Sequence, residues 1–110
     1  FKIKSGAIEK AFVKNDPLAA LKLGQARASA IIALGENKIQ VSEYAPNYVK
    51  KIFTGRGHAT KEEVERMASL QFPKVSFARS DEADALAIAI CHMHTLKLNS
   101  TLSNAIKKAM

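Results

Sequence analysis

Three acids sit at the head of an otherwise apolar run, Ser80-Asp81-Glu82-Ala83-Asp84-Ala85-Leu86-Ala87-Ile88-Ala89-Ile90-Cys91-His92. The second half of that run is almost wholly Ala, Leu and Ile, the pattern of a helix buried on most faces. Asp81 and Asp84 are three apart, so on a helix both carboxylates project from one side. An ionised carboxylate against a dry core is costly unless something positive meets it. Two carboxylates with that problem commonly share a hard cation such as Mg²⁺, which takes oxygen ligands. A purely structural account competes. Ser80 is a good N-cap, and acids in a first turn favour the positive end of the helix dipole. That account covers Asp81 and Glu82; it covers Asp84 less well, because Asp84 lies beyond the cap among Ala and Leu.

A second grouping could bind phosphate. Pro46 opens a short helix, 47–53, and Thr54-Gly55-Arg56-Gly57-His58-Ala59 follows as a turn with two glycines and two potentially cationic residues. Thr60 then caps a helix from Lys61 to about Leu70, and Glu63 completes a capping box. Glycines let backbone N–H groups approach an anion, and the next helix N-terminus attracts it. Lys50, Arg56 and Lys61 would add charge at the same spot. The plainer alternative is an ordinary helix–helix connection with solvated basic residues. Cys91, His92 and His94 suggest metal ligands at first glance. His92 and His94, however, point to different helix faces, and no second Cys or His pair completes a zinc set. They read as a helix C-terminal turn.

Other elements must position these groups. Ser5-Gly6 interrupts the alternation of residues 1–4, so 7–13 is the better strand, with Ile8 and Phe12 inward and Glu9 on the opposite face. Asn15-Asp16-Pro17 predicts a helix start, Asp16 as N-cap and Pro17 at the first helical position. That helix runs to Gly35, a natural C-cap. Its Ala20, Gly24 and Ala28 form a small-residue stripe that would let another element approach, while Lys22 and Arg27 read as solvated charges. Residues 38–42 alternate as a half-buried strand. The polar stretch from Asn99, with Lys107 and Lys108, reads as a frayed or short surface helix.

Composition bounds the rest. A chain of 110 residues is one domain in size, and 47% hydrophobic content is enough for a core built on aliphatics, since aromatics are only 6%. Lys and Arg number 17 against 10 acids, a net charge of +7, which points to a polyanionic partner. That partner would be nucleic acid or an anionic membrane surface; no apolar run reaches membrane-span length and no secretory signal opens the chain, so no membrane span is expected. The single Cys91 excludes an internal disulfide and fits a reducing compartment, hence a cytosolic setting.

With these residues in view, the sequence resembles the RuvC family of Holliday junction resolvases. AIEKAF at 7–12, LKLGQARA at 21–28 and DEADALAIAICHMH at 81–94 carry the match, and EYAPNYVKKIFTGRGHATKEEV at 43–64 resembles the segment between them. The resemblance is collinear from about Gly6 to His94. It implies an α/β fold, a ribonuclease H-like mixed sheet flanked by helices, with residues 1–98 forming the domain and 99–110 a polar, basic tail. It implies structure-selective cutting of four-way DNA junctions by a homodimer in recombination and repair, alongside a branch-migration helicase, in the bacterial cytoplasm at the nucleoid. Matched by motif, Glu9, Asp81 and Asp84 are the catalytic and metal-holding acids. Phe12 takes the aromatic position beside the junction, and Lys50 and Lys61 match its basic DNA-contacting positions.

The implied chemistry is two-metal phosphodiester hydrolysis with Mg²⁺, for which Mn²⁺ would substitute. Basic residues would position the DNA backbone largely without reading sequence. Two identical sites in a dimer suit a two-fold junction. The family's opening strand, with its first catalytic Asp in a Gly-Ile-Asp-Pro-Gly setting, has no counterpart in these residues, where the first acid is Glu9. The fold is therefore expected to be N-terminally incomplete.

Two further readings stay open. VKKIFTGRGHATKEEV also resembles a helix-hairpin-helix motif, a non-catalytic DNA-backbone binder that has no need of Asp84. An inactive remnant dimerising through Ala20, Gly24 and Ala28 would show neither metal affinity nor junction preference.

Overall fold

The computed structural model describes residues 2–10 and 14–110. The chain divides into two compact units, Phe1–Pro46 and Asn47–Met110.

The first unit is a β-α-β arrangement. Strand β1 (Ser5–Glu9) and strand β2 (Gln40–Tyr44) pair in parallel, with Ser5 opposite Gln40 and Glu9 opposite Tyr44. The Lys10 amide extends the ladder to the Tyr44 carbonyl at 2.8 Å. Of the mixed sheet that the resemblance implies, the described residues hold these two strands. The strand runs straight through Ser5-Gly6, where an interruption was expected. Gly6 suits this place because a Cβ there would lie 3.4 Å from Leu34 Cδ1 and 3.8 Å from Ile39 Cγ2.

Helix α1 (Pro17–Glu36) connects the strands and starts as its sequence predicts. Pro17 fills a first-turn position, and Asp16 Oδ1 accepts the Ala19 N–H at 3.1 Å. Its end differs from expectation. Gly35 lies inside the helix, and the left-handed residue is Lys38, at φ 57°. The Lys38 amide donates to the Gly35 carbonyl at 3.0 Å and the Ile39 amide to Leu34 at 2.9 Å, a Schellman pair closed around lysine. Ile39 and Leu34 then both reach the space over Gly6, and β2 begins two residues later than the alternation suggested. The inner face of α1 is Ala19, Leu23, Arg27, Ile31 and Leu34, all half-buried, whereas the Ala20-Gly24-Ala28 stripe is exposed.

The second unit is helical. Helices α2 (Pro46–Thr54), α3 (Lys61–Gln71) and α4 (Ser80–Ala109) share a core of Val49, Phe53, Ala59, Val64, Ala68, Ala83, Ala87 and Cys91. Small residues carry the contact of α3 with α4: Ala68, Ala83 and Cys91 are wholly buried. The capping box of α3 forms as expected, Glu63 N–H to Thr60 Oγ1 at 3.2 Å and Thr60 N–H to Glu63 Oε2 at 3.3 Å. Residues 99–109 are no separate or frayed helix; they continue α4 without a break, exposed throughout, to its end at Ala109, 30 residues in all. No described helix is long and apolar enough to cross a membrane.

Candidate metal and nucleic-acid site

Helix α4 begins at Ser80, one residue earlier than a Ser80 cap requires, so the N-cap position falls to Arg79, which makes no side-chain cap. Glu82 does part of that work, its Oε2 accepting the Ala78 N–H at 3.0 Å. Among the three acids at this terminus, Glu82 is thus the structural one. Asp81 is 77% exposed and meets Arg79 only loosely, at 3.8 Å. Asp84 is half-buried and makes no hydrogen bond or ion pair among the described residues. The two carboxylates lie one helical turn apart on one face of α4. Oxygen donors of this kind fit a hard divalent cation.

Glu9 ends β1 in the first unit, half-buried, its backbone in register with Tyr44. Within neither unit do three or more described His, Cys, Asp or Glu side chains gather as a metal-holding group. Phe12 lies outside the described residues. Cys91 and His92 are buried mid-helix in α4 rather than at its C-terminal turn, and His94 is exposed. Burial pushes the Cys91 thiol above its ordinary pKa, against a smaller lowering by its Thr95 contact.

The basic segment is more rigid, and less of a backbone cradle, than its two glycines suggest. Gly55 adopts φ 84° and its amide donates to Lys51 at 2.8 Å. The Arg56 amide donates to Thr54 Oγ1 at 3.2 Å, and the His58 amide to Asn47 Oδ1 at 2.7 Å. With the Thr60 amide held by Glu63, four of the amides from Gly55 to Thr60 are engaged inside the protein and do not face an anion. His58 sits at φ 59°, and its Nε2 lies 3.0 Å from Asn47 Nδ2. An amide N–H only donates, so the ring nitrogen is its acceptor in this contact. Arg56 is 66% exposed and 3.3 Å from Glu63. Lys50, half-buried on α2, and Lys61, exposed at the first turn of α3, flank it.

Sequence reasoning missed Asn47, whose side chain locks the loop from the start of α2. It also read Arg27 as solvated, whereas Arg27 is half-buried and donates to Glu43 of β2 at 2.7 Å. Asn47 gave no signal, because an Asn in the first turn of a helix looks like a surface residue. Arg27 had one: it shares the four-residue spacing of Ala19, Leu23 and Ile31.

An α/β chain with a parallel strand pair and a long acid-headed helix is of the ribonuclease H-like class, and its relatives narrow this further. The family model for crossover junction endodeoxyribonuclease RuvC matches residues 1–92. The chain is 50% identical over 93 residues to the RuvC of Paracoccus denitrificans, covering 84% of this chain and 57% of that protein. It is 45% identical over 109 residues to the RuvC of Cereibacter sphaeroides, covering 99% and 65%. A structure of Thermus thermophilus RuvC superposes with a TM-score of 0.72 at 35% identity, over 84% of this chain and 57% of that one. Another, of T. thermophilus RuvC in complex with a Holliday junction substrate, gives 0.78 at 34% identity over 90% and 61%. The chain belongs to the RuvC family of crossover junction endodeoxyribonucleases. It spans about 57–65% of the length of these two curated relatives.

Proposed function

We propose that this chain acts in Holliday junction resolution, cutting four-way DNA by divalent-metal-dependent phosphodiester hydrolysis. The observation that carries the reading is Asp84: a half-buried carboxylate without a described partner, one turn from the exposed Asp81, on the motif that marks the family. A Mg²⁺ ion bound to such carboxylates, with Mn²⁺ as substitute, would supply a lowered water pKa and charge stabilisation at the phosphate. Asp81 and Asp84 hold the cation from α4, and Glu9 offers a third carboxylate from β1. Lys50, Arg56 and Lys61 take the DNA backbone, with the Asn47–His58 lock fixing the loop between them. Phe12 takes the family's aromatic position beside the junction. The same reading makes the protein a homodimer, a partner of a branch-migration helicase, and a cytoplasmic, nucleoid-associated enzyme.

The test is cleavage of a labelled four-way junction with Mg²⁺, beside a linear duplex and the Asp84→Asn variant. Junction-selective cutting that Asp84→Asn abolishes is expected. Junction binding without cutting would reduce the chain to a non-catalytic DNA-binding module, and neither binding nor cutting would sink the reading. Lys50→Ala and Lys61→Ala should weaken junction binding whatever the sequence, each lowering the salt slope by about 1.

A further inference from the structure

Helix α4 outruns its own core. Thr95 is its last half-buried residue, its Oγ1 3.5 Å from the Tyr48 hydroxyl of α2, and every residue from Leu96 to Met110 is exposed. Within that exposed length Leu98, Leu102 and Ile106 recur every fourth residue, each more than half exposed. Ala105 and Ala109 fill the same face, so one narrow apolar stripe runs to the end of the helix. The stripe prolongs the buried row of Ala87 and Cys91, since Leu98 stands about two helical turns beyond Cys91. Lys97 and Lys108, about three turns apart, share one flank of the stripe. An open concavity of about 300 Å³, lined by His94, Lys97, Leu98 and Thr101, lies on that flank. From Ala85 to Met110 the sequence has no Asp or Glu. Nothing in the proposed chemistry uses this half of α4.

Such a helix needs a cover. Asn99, Ser100, Thr101, Ser103 and Asn104 are poor residues for a helix interior, and without an acid no ion pair forms one turn away. The Thr101 hydroxyl donates to the Lys97 carbonyl at 3.0 Å and so engages its own helix. A short helix of this composition is marginal alone in water and takes its stability from packing of its apolar face. The charges define what can pack there. A second copy of the same segment brings lysines, and no carboxylate, to meet lysines. Duplex DNA takes the lysines but leaves the leucines in water. A lipid surface needs a broad apolar face, and this stripe is one large residue wide per turn. A protein helix with an apolar row and carboxylates along its edge satisfies both features. We infer that the exposed half of α4, from Thr95 to Ala109, docks against a helix of another protein that pairs an apolar row with flanking carboxylates. The inference does not rest on the endonuclease reading.

The experiment is an NMR titration of the ¹⁵N-labelled chain with two synthetic helical peptides. Both carry the same leucine row, flanked by glutamates in one and by lysines in the other. Saturating amide shifts across 95–109 are expected with the glutamate peptide, and the lysine peptide should bind ~tenfold more weakly. Leu102→Ser should weaken the glutamate peptide ~tenfold. Lys97→Ala combined with Lys108→Ala should narrow the gap between the two peptides. All three positions are exposed, so the amide signals of α3 stay in place and show that each variant is folded. Equal affinity for the two peptides, or no shift across 95–109 with either, would overturn the inference. So would shifts there that grow with the chain's own concentration and that the glutamate peptide does not reverse, which assign the stripe to a second copy. Tighter binding of 95–109 to phosphatidylglycerol vesicles or to a linear duplex than to the glutamate peptide would give it to lipid or DNA instead, and the inference would fall.

Discussion

Helices α1 and α4 are both long and rich in alanine, yet they are built in opposite ways. Helix α1 is well terminated, with an Asp16 cap, Pro17 in the first turn and a Schellman close, but buries none of its 20 residues fully. It leaves Leu18, Leu21 and Ile32 about 60% exposed. Helix α4 starts at Ser80 behind an N-cap arginine, Arg79, that makes no side-chain cap, yet buries Ala83, Ala87, Cys91 and His92. The end that breaks the local rules carries the acids of the proposed metal site. Helices α1 and α3 close their N-termini with a side chain, Asp16 and Thr60, and α4 has no such cap at the end where the proposed site lies.

The largest expected effect tests the difference in burial. Ala87→Leu forces three extra carbons into the α3–α4 contact and should cost about 1–3 kcal/mol in urea unfolding. The same change at the exposed Ala28 of α1 should stay within about 0.5 kcal/mol in dilute protein. A larger loss at Ala28 that grows with protein concentration would instead place a second copy of the chain on α1, as the inactive-remnant reading expects. Next in size is the cap. Asp16→Ala should cost about 1 kcal/mol, since the Ala19 N–H loses its acceptor. No comparable loss is expected from Arg79→Ala, which removes no cap; equal losses at both ends would erase the contrast. Gly24→Ala should stabilise by about 0.5–1 kcal/mol, because a Cβ there meets nothing within 4 Å. A loss there would again point to a covered α1.

Local chemistry was legible in the sequence wherever a side chain acts on its own backbone. The Asp16 cap and the Thr60–Glu63 box are read directly, because each needs only a donor within three residues. The end of α1 was not, because Lys38 takes the left-handed position only through the company of Leu34 and Ile39 over Gly6. The inner face of α1 was misread by one position, since small residues suggested contact where the half-buried row holds Leu23, Arg27 and Ile31. The length of α4 was hidden because Asn99, Ser100, Ser103 and Asn104 favour turns in isolation. In the candidate site, Asp81 and Asp84 stood out as charges at the head of an apolar run. The loop lock did not, because Asn47 meets His58 only after the helices are placed.

The smallest effect belongs to the buried thiol of α4. Desolvation raises Cys91 above its ordinary value of 9.0, so the unfolded chain releases this proton at a lower pH than the folded one. The stabilisation that the neutral thiol gives is complete below about pH 9 and is lost as pH rises through the folded value. Urea midpoints taken upward from pH 8 should therefore fall more steeply for the natural chain than for Cys91→Ala. The slope is the quantity to compare, because the alanine also opens a void at a position with no exposed surface and lowers every midpoint alike. Parallel slopes would mean that the α3–α4 contact admits water at Cys91, and the burial that separates α4 from α1 would be shallower than the structure shows.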